Sequence, residues 1–212
     1  MKEFYLKYLN EKFNFNKKTI VAIFSFLIVI AGMFGWLYEF IFYYFNGGMK
    51  EFYWRGGNFL PWINIYATGS IMVCLFTYRF RKKPFLVFLI SFITCGLLEY
   101  FSGLGIYIFT GGDRYWNYNT EILNFGNIDG FVCLRSVMFF AVASLFLIYV
   151  VLPLLLFFAK HINRKLFFWI GILLCMIILA DEFYNLLVAR MFDLPRARDI
   201  YTSLGIPYVK RI

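Results

Sequence analysis

Residues 19–45 read TIVAIFSFLIVIAGMFGWLYEFIFYYF, an apolar run interrupted by one charged residue, Glu39. A helix rises about 1.5 Å per residue, so roughly 20 such residues cross the ~30 Å hydrocarbon core of a bilayer. The run is too long for a strand, and backbone in lipid must satisfy its own hydrogen bonds, so it reads as a membrane-spanning helix. Windows of the same kind follow at 61–78, 84–110, 131–159 and 166–191. The expected fold class is all-α, a polytopic integral membrane helix bundle of about five transmembrane helices.

Composition agrees. Of 212 residues, 62% are hydrophobic and only 16% charged, too apolar for a soluble domain of this size. Once the windows are subtracted, no stretch is long enough for a second core, so the chain divides into a leader at 1–18, one bundle domain at 19–191 and a basic tail at 192–212. The first window is too long and too far along to be a cleaved signal peptide. In the leader, Tyr5, Leu9 and Phe13 recur at helical spacing beside Lys2, Lys7 and Lys12, which fits either a helix lying on a membrane surface or a frayed basic arm.

Lys and Arg number 21 against 12 Asp and Glu, but the basic residues flank apolar spans rather than forming a stripe on a soluble face, so nucleic acid is not an expected partner. They sort by topology. Lys2, Lys7, Lys12, Lys17, Lys18, Arg79, Arg81, Lys82, Lys83, Lys160, Arg164 and Lys165 fall on one side, against Lys50, Arg55 and Arg114 on the other. The positive-inside rule then predicts a multi-pass protein of the cell membrane with a cytoplasmic N-terminus, in contact with anionic lipids. Five spans put the tail outside, where Arg190, Arg196, Arg198, Lys210 and Arg211 break the bias: either the tail is tolerated there or the fifth segment does not fully cross.

The outer loops, NGGMKEFYWRGGNFLPW and GGDRYWNYNTEILNFGNIDG, are rich in Gly, Asn, Trp and Tyr. They fit an aromatic belt at headgroup level, or a lid over a site. Charged side chains at membrane depth are costly and mark candidate sites; here they are Glu39, Glu99, Arg135, Asp181 and Glu182. Counted along their helices, all lie toward the outer leaflet, with Asn64, Tyr66, Thr68 and Ser70 at a similar depth. Small residues share their faces: Gly32 and Gly35 with Glu39, Cys95 and Gly103 with Glu99, and Gly171, Cys175 and Ala189 with Glu182 and Asn185. Such faces pack helix on helix, so the acids are expected to point inward around an outward-opening polar cavity. Arg135 there serves either as interhelical glue or beside carboxylates that bind a cation, carry a proton or act as acid and base.

The cysteines Cys74, Cys95, Cys133 and Cys175 lie in or at the edge of apolar segments without ligand spacing, so no metal site or disulfide framework is expected. The sequence lacks GxxxxGK[ST], GxSxG and HExxH, and no motif calls for a cofactor. No catalytic residue stands out.

GWLYEF at 35–40, RGG at 55–57 with Pro61 and Tyr66, LLEY at 97–100, WNY at 116–118 and NIDGFVCLRS at 127–136 together resemble the bacterial ABC-transporter type IV, CmpB-type, permease-like family over residues 32–153. Glu39, Arg55, Glu99, Trp116, Tyr118, Asn127 and Gly130 match its recurrent pieces. The chain departs after Cys133, with Arg135, Phe139 and Phe140, so the resemblance implies no role for Arg135. It implies a permease-like subunit that takes a polar or cationic small substrate, with a separate ATPase subunit or a second copy of the chain as partner. RFRKK and AKHINRK are barely turns, so only the N-terminal amphipathic segment offers an ATPase a docking surface. The alternative is a membrane-embedded enzyme acting on a lipid or small molecule at the outer leaflet, with a Glu as general acid or base.

Overall fold

The long apolar run forms α2 (Lys17–Asn46) in the computed structural model, which describes residues 2–11, 13–46 and 53–207. Lys12, Lys50, Lys210 and Arg211 of the charge pattern lie outside the described residues, as does much of the first outer loop. A short helix α1 (Lys2–Asn10) precedes α2, and α3 (Asn64–Thr77), α4 (Pro84–Thr110), α5 (Leu134–His161), α6 (Arg164–Met191) and a short α7 (Ala197–Ser203) follow. The protein is an all-α polytopic bundle. Among the described residues, four helices, α2, α4, α5 and α6, are long and apolar enough to cross a membrane.

The window at 61–78 differs from expectation. Helix begins only at Asn64, because Ile63 is extended at φ −131° and ψ 123° and its amide is taken by the Gly32 carbonyl of α2. Helix α3 nevertheless runs between α2 and α4 and ends in a 3₁₀ turn at Tyr78–Phe80 near α1. With α3 included, the chain passes through the bundle five times, which places α1 and α7 at opposite ends: the basic end and the loop end.

Small residues set the packing, as expected where lipid supplies no hydrophobic drive between helices. Gly171 lets α6 approach α2, since a Cβ there would lie 3.2 Å from the Ala22 carbonyl oxygen. Helix α4 buries Ser91, Cys95, Glu99 and Gly103 along one stripe.

Helix α1 is neither a frayed arm nor a helix resting on the surface alone. Tyr8 is fully buried, and Arg81 donates through Nε to the Tyr8 carbonyl (2.7 Å) and through Nη2 to the Glu11 carbonyl (2.6 Å), capping acceptors that a helix C-terminus leaves open. The Tyr8 hydroxyl donates to the Ile148 carbonyl at 2.7 Å. That carbonyl is free for a reason: α5 widens to π geometry at Leu147–Val151, the Leu152 N–H reaches back five residues to the Leu147 carbonyl, and the next residue, which would reach Ile148, is Pro153. Tyr8→Phe removes the substitute donor and should lower stability by about 1–3 kcal/mol, the cost of an unmade buried hydrogen bond. Thermal unfolding in detergent checks this, with the half-buried Tyr5→Phe as a near-silent control.

Candidate functional site

Between Asn58 and Ile63 the chain leaves the loop end in bent, non-helical form and dips beside the middle of α2. The Trp62 indole N–H donates to the Ile28 carbonyl (2.9 Å), and the Ile63 amide donates to the Gly32 carbonyl (3.1 Å). Non-helical backbone survives at such depth only when protein satisfies it. Asp181 does so, accepting from the Phe59 amide at 3.0 Å and the Leu60 amide at 2.7 Å, while the hydroxyl of Tyr201 on α7 donates to the Phe59 carbonyl at 2.8 Å. Glu182 accepts from the side-chain amides of Asn58 (2.6 Å) and Asn64 (3.0 Å). The tail folds back onto this segment: Asn185 donates to Asp181 and accepts from the Ala197 amide at 2.7 Å, fixing the start of α7.

Beside it, ion pairs join α2, the two outer loops and α5. Arg55 Nε lies 3.5 Å from Glu39, whose other oxygen accepts from the Tyr66 hydroxyl at 3.3 Å. The Arg55 guanidinium also covers the Tyr43 ring, 3.4 Å from its centroid, and the Tyr43 hydroxyl donates to Glu121. Glu121 in turn pairs with Arg135 Nη2 at 2.6 Å, while Arg135 Nη1 donates to the Ile122 carbonyl at 3.1 Å. Arg135 Nε is buried without an acceptor among the described residues.

Glu99 closes the cluster from α4. It is 3% exposed and accepts from the hydroxyls of Tyr118 and Ser136, the latter at 2.7 Å, and among the described residues no cation forms an ion pair with it. Burial, and then the charge of Glu99, pushes the Tyr118 phenol well above its ordinary range, so it remains a donor. The loop carrying Tyr118 is folded by the remaining motif residues. Trp116 donates to the Phe131 carbonyl (2.8 Å), Asn127 accepts from the Gly130 amide (2.9 Å), and Gly130 takes a left-handed φ of 76° where a Cβ would strike the side chains of Asn117 and Asn119.

The sequence-derived residues therefore separate into two groups. Glu39, Arg55, Tyr66 and Arg135 join through Tyr43 and Glu121 into one polar chain, and Glu99 with Tyr118 adjoins it where the Arg135 guanidinium lies 5.4 Å from the Tyr118 ring centroid, with Trp116 and Asn127 shaping the loop above. Asp181 and Glu182 do not face Arg135: backbone and side-chain amides of the dipping segment hold them instead. Glu121, Tyr43 and Ser136 are members that sequence reasoning missed; Glu121 lies in a loop outside every window and its partner is 14 positions away. At this end lies an apolar pocket of about 390 Å³ lined by Tyr38, Ile41, Phe42, Phe45 and Ile122.

Comparison with known proteins finds one family. The model of the family described as "Putative ABC-transporter type IV" matches residues 24–186, which takes in both groups of polar residues. No curated protein and no solved structure matches the chain.

Proposed function

We propose that this chain, which belongs to the ABC-transporter type IV family, is a permease-like subunit that binds a polar or cationic small substrate, or a proton, at the polar chain on its loop end. The family and the spanning helices make it a transporter-like, multi-pass membrane protein. The observation that carries the finer reading is the charge balance of the cluster. Glu39, Glu99 and Glu121 set three carboxylates against two guanidinium groups, Arg55 and Arg135, and the unbalanced acid is Glu99, buried with hydroxyls only. A carboxylate in that setting needs a bound proton or a bound cation to offset its charge. Movement of Tyr118 with its loop, or of the Arg55 loop off Glu39, would open the path from outside.

A separate ATPase is the partner that fits the family, reached from the basic end, where we place the cytoplasm and where, among the described residues, α1 supplies the sizeable surface beyond short turns. The test uses membrane vesicles from cells producing the chain. ATP-dependent uptake of small amine cations, with ATP hydrolysis co-purifying with the chain in mild detergent, is the expected result. A chain that purifies as an oligomer of itself alone, with neither activity, would overturn the proposal.

One observation favours the enzyme reading instead. The apolar pocket abuts Phe42 and Ile122, the residues that Arg135 touches, so an anionic head at the free Nε of Arg135 would lie beside a slot for a lipid tail. Turnover of an outer-leaflet lipid that is lost in Glu121→Gln would select that reading.

A further inference from the structure

A second pocket lies at the other end of the molecule, remote from every acid discussed above. It measures about 520 Å³, within the range of roughly 300–1,000 Å³ usual for ligand sites, and is formed between α1, the turn joining α3 to α4, and α5. Leu9, Pro84 and Leu145 give it apolar walls, Tyr5 and Tyr149 amphipathic ones, and Asn10, Arg81 and Lys82 its polar rim.

The electrostatics of that rim are lopsided. Arg81 is 7% exposed, yet its three side-chain hydrogen bonds end on backbone carbonyls, those of Tyr8, Glu11 and Tyr78, and among the described residues it forms no ion pair. The side chain of Glu11, just past the end of α1, is engaged by Lys7 at 3.3 Å. Lys82, exposed at the pocket mouth, also has no ion pair among the described residues. A buried guanidinium satisfied only by neutral acceptors keeps its full charge in a poorly screened setting. An anion at the rim would relieve it.

We infer that this pocket binds an anionic glycerophospholipid, with the phosphodiester at Lys82, Arg81 and Asn10 and the upper acyl chain along Leu145 and Leu9. The mixture of walls decides between a lipid and a free anion: inorganic phosphate would use the rim but leave the apolar part in contact with water. Position agrees as well, because Lys82 and Pro84 mark the start of spanning helix α4, where headgroups meet the protein, and Leu145 belongs to spanning helix α5. Basic recesses between spans are recurrent headgroup sites. Through Arg81, an occupant would also brace α1, whose last carbonyls that side chain holds.

The full chain, purified in a neutral detergent, is titrated with phosphatidylglycerol, phosphatidylcholine or inorganic phosphate while thermal unfolding is followed, and retained lipid is counted by native mass spectrometry. Phosphatidylglycerol should raise the unfolding temperature and remain as one bound molecule; Lys82→Glu should remove both effects, and Lys83→Glu, outside the pocket, should keep both. Lys82 is exposed, so its replacement does not threaten the fold. Equal stabilisation by phosphatidylcholine, stabilisation by phosphate alone, or equal losses in the two lysine variants would each overturn the proposal.

Discussion

Replacing Asp181 by Ala is expected to release the non-helical segment at 58–63 from the bundle and to cost about 2 kcal/mol or more, because two part-buried amides lose their acceptors and each such loss costs about 1–3 kcal/mol when water is excluded. The carboxylate receives the amides of Phe59 and Leu60 on its two oxygens, and both bonds are part-buried. Asp181→Asn keeps one carbonyl acceptor and should lose about half as much. Unfolding in a denaturing detergent measures the loss, and thiol labelling of Leu60→Cys, in the presence and absence of the Asp181 change, reports release of the segment directly. A loss below about 1 kcal/mol with no gain in labelling would mean that Asp181 does not hold the segment in place.

Gly32→Ala should be more damaging than a one-carbon change has any right to be. A Cβ at this position would fall inside the indole ring of Trp62, which is 3% exposed and rigidly placed by its bond to the Ile28 carbonyl. Relief requires expelling the ring, at about 3–5 kcal/mol for the loss of a buried large aromatic side chain. Gly105→Ala, on α4 with nothing within 4 Å of the added carbon, gains the same helix propensity without the collision and should be neutral or slightly stabilising. Equal effects of the two substitutions in the same unfolding experiment would show that Trp62 does not pack against Gly32.

The two glycines also show what the sequence made legible. A stripe of Gly32, Gly35 and Glu39 marks a packing face whatever lies against it, and the windows at 19–45, 84–110, 131–159 and 166–191 correspond closely to α2, α4, α5 and α6. Hydropathy could not separate the non-helical residues 61–63 from the helix after them, because apolar backbone packed against protein has the same composition whether or not it is helical. The pairing of the acids was hidden for a related reason. Depth alone groups Asp181 with Arg135, but two unmet amides in the segment at 58–63 are nearer claimants, and they exist only because that segment is not helical. Arg81 counted as one more charge in a basic collar; its burial depends on the carbonyls at the end of α1, which no residue pattern advertises. Glu121 could have been found by asking which acid in the second outer loop could answer Arg135, a question that only the folded loop poses.

The proposal for the loop-end cluster is that Glu99 handles a cation or proton and is more than a fastening between α4 and the loop above it. Glu99→Gln separates these roles, since the amide keeps one carbonyl acceptor for Tyr118 or Ser136 and can turn its NH2 toward the other hydroxyl oxygen, but carries no charge. Uptake of amine cations and the unfolding temperature, measured on the same vesicle preparation and the protein purified from it, give the most direct test. Uptake lost while the unfolding temperature stays close to wild type is the expected result. Uptake retained in full, or lost only in step with a collapse of the fold, would contradict it.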